Sequence, residues 1–172
     1  MHFMRSREAK SRANEFIGGW TEMAVSYCMP AMVNGRPRFV AFRYCSHPDP
    51  NRGTYIDAPV QVALLDPITG EATDEDEAKL RLARIEHLPA VGWTFFPMPR
   101  PEWDAKDREL ENAVDAAMPA FASGQTDPSP EVRGAARLVD RRLEELDPGM
   151  RPYYAGASPE FFAWLKLVAV AK

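Results

Sequence analysis

The chain has 172 residues, of which 45% are hydrophobic and 27% are charged. This composition is typical of a folded globular protein and excludes a collagen-like or largely disordered chain. The length predicts one domain over residues 1–172. The formal net charge of -4 is mildly acidic and does not favour nucleic acid as a partner.

The termini carry no signal for export or membrane insertion. The N-terminus lacks the apolar stretch of a secretory signal. The longest apolar run, near residues 161–171, contains Lys166 and is too short to cross a bilayer. We therefore expect a cytoplasmic protein with no membrane partner.

Residues 1–17 form a basic N-terminal arm or a short helix, which Gly18 and Gly19 end. In the stretch through Arg12, one acidic residue, Glu8, stands against four basic residues: Arg5, Arg7, Lys10 and Arg12. A solvated terminus is the favoured interpretation, and a phosphate-binding arm is the alternative.

Residues 18–72 are predicted to form an antiparallel β-meander. Asn34 and Gly35 tolerate the positive φ of a two-residue hairpin turn. The resulting register pairs three sets of bulky residues on one face: Met29 with Val40, Tyr27 with Phe42, and Val25 with Tyr44. Smaller or polar residues then share the other face: Ala24, Ser26 and Cys28 opposite Cys45, Arg43 and Ala41. Pro30 and Pro37 indicate a bulged or edge pairing near the turn.

Two further strands are expected. Residues 55–65 are rich in β-branched and aliphatic side chains and predict a third strand. Residues 91–96, short and aromatic, are a possible fourth. Three or four strands thus form the meander.

Residues 73–172 are predicted to be mainly helical, because the apolar period changes from two to about 3.6 after Gly70. Thr73 is the expected cap of the first helix, and the second helix covers about residues 101–121. Ser129 and Ser158, each followed by Pro-Glu, are the expected caps of the last two. The predicted fold class is therefore α+β, with a meander packed against about four C-terminal helices.

The thiols offer one candidate for chemistry. Cys45, His47 and Asp49 point the same way in an extended chain, and Cys28 shares their predicted face. These groups are able to bind zinc or to act as nucleophile and base. However, no second Cys or His pair stands at zinc-finger spacing, and Pro48 distorts the strand. We therefore predict no catalytic, metal or cofactor site, and two reduced thiols.

Two segments are candidates for binding another protein. Five carboxylates fall between Glu71 and Glu77, and they are able to attract a basic partner. The segment near residues 92–103 combines aromatic side chains with prolines, a composition enriched at interfaces. The predicted partner-binding residues are Asp74, Glu75, Asp76, Glu77, Trp93, Phe95 and Trp103. A solvated helix start and aromatic residues that join sheet to helices are the structural alternatives.

No P-loop, GxGxxG, HExxH or GxSxG motif is present. The favoured hypothesis is a small protein that binds another protein, possibly a basic toxin or enzyme, as a bacterial immunity-type inhibitor does. Two alternatives stay open. One is an enzyme or metal-binding protein that uses Cys28, Cys45 and His47. The other is a small-ligand or accessory module that uses the small-residue face of the hairpin as the floor of a pocket lined by Ala24, Ser26, Ala41 and Arg43. The sequence does not determine the oligomeric state.

Overall fold

The structure is a computed structural model that describes residues 2–17, 23–49, 54–89, 91–93 and 98–170, with side chains at 2–15, 26–43, 61–89 and 98–170. Along these residues the elements are α1 (Ser6–Ile17), β1 (Met23–Val25), β2 (Met29–Val33), β3 (Arg36–Asp49), β4 (Thr54–Leu65), β5 (Ala72–Thr73), α2 (Glu75–Ile85), β6 (Val91–Trp93), α3 (Arg100–Ala122), α4 (Pro130–Leu146), α5 (Arg151–Ala157) and α6 (Pro159–Ala169). The predicted α+β class is confirmed. The described C-terminal part has five helices, α2 to α6, instead of about four, since α5 is an additional short helix. One further helix, α1, precedes the sheet.

The six strands form one antiparallel sheet with β3 and β4 at its centre. Strands β1 and β2 follow one another along the outer side of β3. Strands β5 and β6 do the same along the outer side of β4. The sheet therefore has four rows, and each outer row is made of two short strands rather than one long strand.

The predicted hairpin turn is confirmed. Asn34 and Gly35 have φ values of 51° and 75°, in the left-handed region that this turn requires. Met29 pairs with Val40 as predicted, and the ladder is regular up to Val33. Strand β2 lies at the edge of the sheet, which is where a proline is tolerated because it lacks an N–H group.

The register predicted for the far end of the hairpin is wrong by one residue. Val25 pairs with Arg43 rather than with Tyr44, and Cys45 pairs with Met23 rather than with Ala24. The reason lies at Ser26, whose N–H group donates to the Phe42 carbonyl oxygen at 2.9 Å and whose Oγ accepts from the Phe42 N–H at 3.2 Å. Ser26 therefore occupies the position opposite Phe42 that was predicted for Tyr27.

Side chains on both faces of the hairpin are buried. Phe42 projects toward α5, where its ring centroid lies 5.0 Å from that of Tyr154. Phe39 and Ala41, which alternate with Phe42 and therefore point to the other face, are buried as well. Cys28 is only 2% exposed. The described small residues of the other predicted face, Ser26, Cys28 and Ala41, are thus covered by other parts of the chain.

The basic N-terminal segment is the short helix α1, and it is tied to α3 although the Arg5 and Arg7 side chains stay 70% and 63% exposed. Arg5 donates from Nε to Asp115 Oδ2 at 3.2 Å, and Arg7 donates from Nε to Glu111 Oε2 at 2.9 Å. The backbone N–H of Ser6 also donates to Asp115 Oδ1, at 2.7 Å. The acceptors stand four residues apart on α3 and so lie on one face of that helix. The arm pairs with carboxylates of its own chain.

The helix caps agree in part with the predictions. Ser129 caps α4 as predicted, since its side chain accepts from the Val132 N–H at 3.3 Å. Ser158 precedes α6, but its hydroxyl group donates to the Pro30 carbonyl oxygen and so joins that turn to β2. Thr73 belongs to β5, and Asp74 precedes α2 in a left-handed conformation with φ 53°.

Candidate functional site

The acidic residues that precede and begin α2 divide into two kinds. Two of them are held by arginines of the same chain. Asp74 Oδ2 accepts from Arg38 Nε at 2.8 Å, and Glu77 Oε1 accepts from Arg81 Nε at 3.2 Å. The hydrogen bond from the Arg38 guanidinium lowers the pKa of Asp74 below its ordinary value. These two carboxylates therefore have structural partners and offer little charge to another molecule.

The other two carboxylates face solvent. The side chain of Glu75 is 86% exposed, and its nearest cation is Lys79 Nζ at 3.6 Å, one helical turn along α2. Asp76 is exposed as well. An exposed pair such as Glu75 and Lys79 contributes little to stability, so this carboxylate is available to exchange its cation. Of the four predicted acidic residues, Glu75 and Asp76 are thus the two that remain accessible.

A groove of about 570 Å³ adjoins these carboxylates, which is within the range of ligand-binding sites. One wall is a stripe of α2 that includes Ala78 and Leu82. The other wall is part of β4 and the whole of β5. The residues that line it are Gln61, Val62, Ala63, Leu64, Ala72, Thr73, Asp74, Glu75, Ala78, Lys79 and Leu82.

The groove follows the outer side of β4. Successive side chains of a strand point to opposite faces, so a groove on one face is lined by alternate residues. Here four consecutive residues of β4, numbers 61–64, line the groove. The groove therefore lies beside the edge of the strand. That edge is largely covered, since Val62, Ala63 and Leu64 are only 6%, 2% and 1% exposed.

This side of β4 lacks a strand partner over part of its length. Strand β5 pairs with Leu64 and Leu65, and β6 pairs with residues 55–57. Within the described part of the chain, residues 58–63 of β4 pair with no strand on this side. The β3–β4 register also shifts in this stretch, because Arg43 pairs with Gln61 whereas Tyr44 pairs with Pro59. Such bulges are common at sheet edges and beside binding sites.

The described part of the structure does not place the three predicted aromatic residues in one cluster. Trp103 lies in α3, half-buried and packed against the core. Trp93 belongs to β6, but its side chain lies outside the described residues, as does Phe95 altogether. The role predicted for these two aromatic residues in partner binding stays a prediction.

Arg81 was not among the predicted site residues, yet it is the most extensively bonded side chain near α2. It is 1% exposed and uses all five of its N–H donors. They reach Glu77, Glu160 twice, and the carbonyl oxygens of Ala157 and Met32. In the sequence, Arg81 follows the acidic run that ends at Glu77 and so resembles a residue that forms an ordinary surface ion pair. This guanidinium fixes α2 against β2 and α6, and so sets the width of the groove.

Of the four residues considered for thiol or metal chemistry (Cys28, Cys45, His47 and Asp49), Cys28 is unsuited to it. Cys28 has a free thiol that is fully enclosed, and burial raises its pKa to about 12. A thiol of this kind is protonated at neutral pH and is a poor nucleophile. The side chains of Cys45, His47 and Asp49 lie outside the described residues. No group of three or more His, Cys, Asp or Glu side chains is arranged to hold a metal ion in the part of the chain that the structure describes.

Several large apolar side chains are exposed. Leu80 lies on the outer face of α2, and Leu167 and Val170 lie on one side of the C-terminal helix region, one turn apart. The opposite side of α6 is buried, since Phe161 and Val168 are fully enclosed. None of the described helices combines the length and the apolar character needed to cross a membrane.

Comparison with known proteins gives no match: no protein-family model, no curated protein and no solved structure matches this chain. The functional argument therefore depends on the geometry around α2 and β4.

Proposed function

We propose that this chain is a protein-binding protein that contacts its partner at the solvent-facing start of α2. The observation that supports the proposal is the division among the carboxylates. Asp74 and Glu77 are paired with buried arginines, whereas Glu75 and Asp76 face solvent beside a groove. A helix start that presents two exposed acids, Glu75 and Asp76, next to a partly apolar groove combines charge with a surface that can be buried.

The two features have different roles in association. Exposed carboxylates accelerate the encounter with a basic partner, and salt weakens this effect because it screens the charges. The groove provides apolar surface at the half-buried Leu82, whose removal from water stabilises the bound state. Charge reversal should therefore slow association, and filling the groove should speed dissociation.

In its most specific form, the proposed protein is an immunity-type inhibitor that covers the basic active site of a toxin. An inhibitor of this kind has to occupy the catalytic surface of its partner. The prediction is that the purified partner loses its activity when it is mixed with this chain at equal concentration. A partner that binds but keeps full activity would retain the general proposal and refute the inhibitory form.

The experiment compares two charge-reversal variants in affinity capture from the native host, followed by kinetics with the partner that co-purifies. The test variant is Glu75→Lys with Asp76→Lys. The control is Glu15→Lys with Glu144→Lys, which makes the same change in net charge at exposed positions on α1 and α4. We expect association with the test variant to slow about tenfold in low salt, and the control to behave like the unmodified chain. Equal binding by both variants would refute the proposal.

The described residues give the two alternatives less support. The enzyme hypothesis needs a reactive thiol, and the pKa of the buried Cys28 thiol is raised to about 12. The small-ligand hypothesis needs an open floor of small side chains. Ser26 and Ala41, which were to form that floor, are both buried.

A further inference from the structure

We propose that Arg38 is a positioning residue for the acidic start of α2: its guanidinium holds Asp74 in the turn before the helix and so fixes where Glu75 and Asp76 face solvent. The Arg38 side chain is only 10% exposed, so it acts on a partner through this turn rather than by direct contact. This inference rests on the proposed function and names a residue outside α2 on which the two binding acids depend.

The backbone conformation of Asp74 is the first reason. Its φ of 53° and ψ of 49° lie in the left-handed region, which few residues other than glycine adopt. Among the described non-glycine residues, one other has a positive φ, Asn34 in the hairpin turn. Such a conformation costs free energy and persists where the surrounding contacts enforce it. The turn before α2 therefore needs a contact that holds it.

The Arg38 guanidinium supplies that contact. Its Nε donates to Asp74 Oδ2 at 2.8 Å, and its Nη1 lies 3.8 Å from Asp66 Oδ2. Asp66 directly follows β4, whereas Asp74 directly precedes α2. One side chain thus meets both ends of the segment 66–74, which contains β5. Because the guanidinium is largely buried, salt screens these pairs less than it screens pairs at the surface.

The Asp66 end of the segment is ordered by its own hydrogen bonds. Its Oδ1 accepts from the backbone N–H groups of Ile68 and Thr69, at 2.8 and 2.9 Å. This oxygen is thus used within the turn, while the other carboxylate oxygen faces Arg38. Arg38 therefore ties Asp74 to a turn that is already fixed.

The Asp74 side chain is not used to cap α2. An aspartate before a helix commonly accepts from N–H groups of the first turn, but the Asp74 side chain makes no such bond. The first helical bond instead runs from the Ala78 N–H to the Asp74 carbonyl oxygen, at 2.9 Å. The direction of this carbonyl group follows the conformation of Asp74. The placement of Glu75 and Asp76, which come next in the chain, therefore depends on the pair of Arg38 and Asp74.

The experiment compares two variants of equal charge, Asp74→Asn and Asp74→Gly, in the full chain. Asparagine and glycine both tolerate a positive φ, but only asparagine keeps an oxygen that accepts from Arg38 Nε. By NMR hydrogen exchange, the Ala78 amide should exchange at least about threefold faster in Asp74→Gly, in line with the loss of one hydrogen bond. The Glu86 amide, which bonds to Leu82 at the far end of α2, should exchange equally in both.

A double variant assigns the effect to Arg38. When Arg38→Met is added to each Asp74 variant, neither protein has the guanidinium that distinguishes them. The difference in Ala78 exchange between the two should then disappear.

Binding provides the second measurement, with the partner isolated by the capture experiment. Asp74→Gly should associate about threefold more slowly than Asp74→Asn, because its two exposed acids are less well placed. The variants carry the same charge, so charge alone predicts equal rates. A difference in rate therefore reports the placement of Glu75 and Asp76.

The inference is overturned if Ala78 exchanges equally in Asp74→Asn and Asp74→Gly, or if the difference persists after Arg38→Met. It is also overturned if charge reversal at Glu75 and Asp76 slows association while the two Asp74 variants associate equally. If charge reversal has no effect, the proposed function fails, and the exchange measurement alone decides whether Arg38 fixes the start of α2.

Discussion

Arg81 and Glu160 are separated by 79 positions in the chain, yet Nη1 of the arginine lies 3.0 Å from Oε2 of the glutamate inside the protein. The same guanidinium also donates to the carbonyl oxygens of Ala157 and Met32. One side chain thus joins α2, the α5–α6 junction and β2, which places it at the centre of the contacts that position the groove.

Replacing Arg81 should strongly destabilise the fold. Arg81→Met leaves the Glu160 carboxylate without its main cation and removes the donors of two carbonyl groups. Removing one member of a buried ion pair costs about 3 kcal/mol or more. The matched control is Arg84→Met on the same helix, since the Arg84 side chain is 46% exposed. Urea unfolding should show a change of about 0.5 kcal/mol or less for this control. Equal effects of the two substitutions would contradict the structural role of Arg81.

Two helical glycines should respond in opposite directions to alanine. A Cβ atom at Gly156 in α5 would lie 2.6 Å from Cγ2 of Ile85, whereas a Cβ atom at Gly134 in α4 would meet nothing within 4 Å. Gly156→Ala should therefore cost about 1–3 kcal/mol through overpacking. Gly134→Ala should stabilise by about 0.5–1 kcal/mol, because alanine has the higher helix propensity. Thermal or urea unfolding measures both.

The double variant identifies the cause of the Gly156 effect. Ile85→Ala removes the atom that the new methyl group would meet. Adding Gly156→Ala to that background should cost less than it does in the unmodified chain. If the cost were the same in both backgrounds, the close approach of α5 to α2 would not be its origin.

Stability should fall at alkaline pH because of Cys28. Burial raises the pKa of this thiol from its ordinary 9.0 to about 12 in the folded state. The unfolded chain therefore loses this proton first as the pH rises, and the stabilisation present below pH 9 decreases up to about pH 12. The slope for one group is about 1.4 kcal/mol per pH unit. Cys28→Ala should show a smaller decrease in unfolding free energy between pH 8 and pH 10.5, because the other titrating groups are the same in both proteins.

A thiol-labelling measurement complements this prediction. In a Cys45→Ala background Cys28 is the one remaining thiol. It should react with a thiol reagent at neutral pH much more slowly than in unfolding concentrations of urea. Rapid reaction of the folded protein would contradict both the burial of Cys28 and its raised pKa.

The hairpin shows what the sequence predicts well and where local chemistry intervenes. Asn34 and Gly35 fix the turn, and the alternation of side chains fixes the pairing of Met29 with Val40. The hydroxyl group of Ser26 then takes a hydrogen bond from the backbone of Phe42 and shifts the register of β1 by one residue. A side chain that competes with backbone pairing in this way leaves no mark in the hydrophobic pattern.

The candidate site was predictable only in part, because it depends on a pairing between distant residues and on strands too short to be recognised. The acidic run was visible in the sequence, and the exposure of Glu75 agrees with that prediction. The Asp74 carboxylate, by contrast, is paired with Arg38, which lies 36 positions away in the sequence. Local sequence around Asp74 does not indicate this pairing. The stretch of β4 that has no strand partner on its outer side among the described residues depends on how two strands of two and three residues divide one row. Short strands carry too little periodicity to be recognised, so β5 was missed.

The hydrogen bond from Ser158 to the carbonyl oxygen of Pro30 joins two segments that a ribosome produces far apart in time. The hairpin emerges first, but Ser158, which bonds to its edge strand, and Tyr154, which packs against Phe42, belong to the α5–α6 region. During translation the early strands therefore lack their final neighbours until most of the chain has been made. A growing chain of this kind has reason to depend on chaperones that shield exposed strands, and the C-terminal helices are the step that ends this dependence.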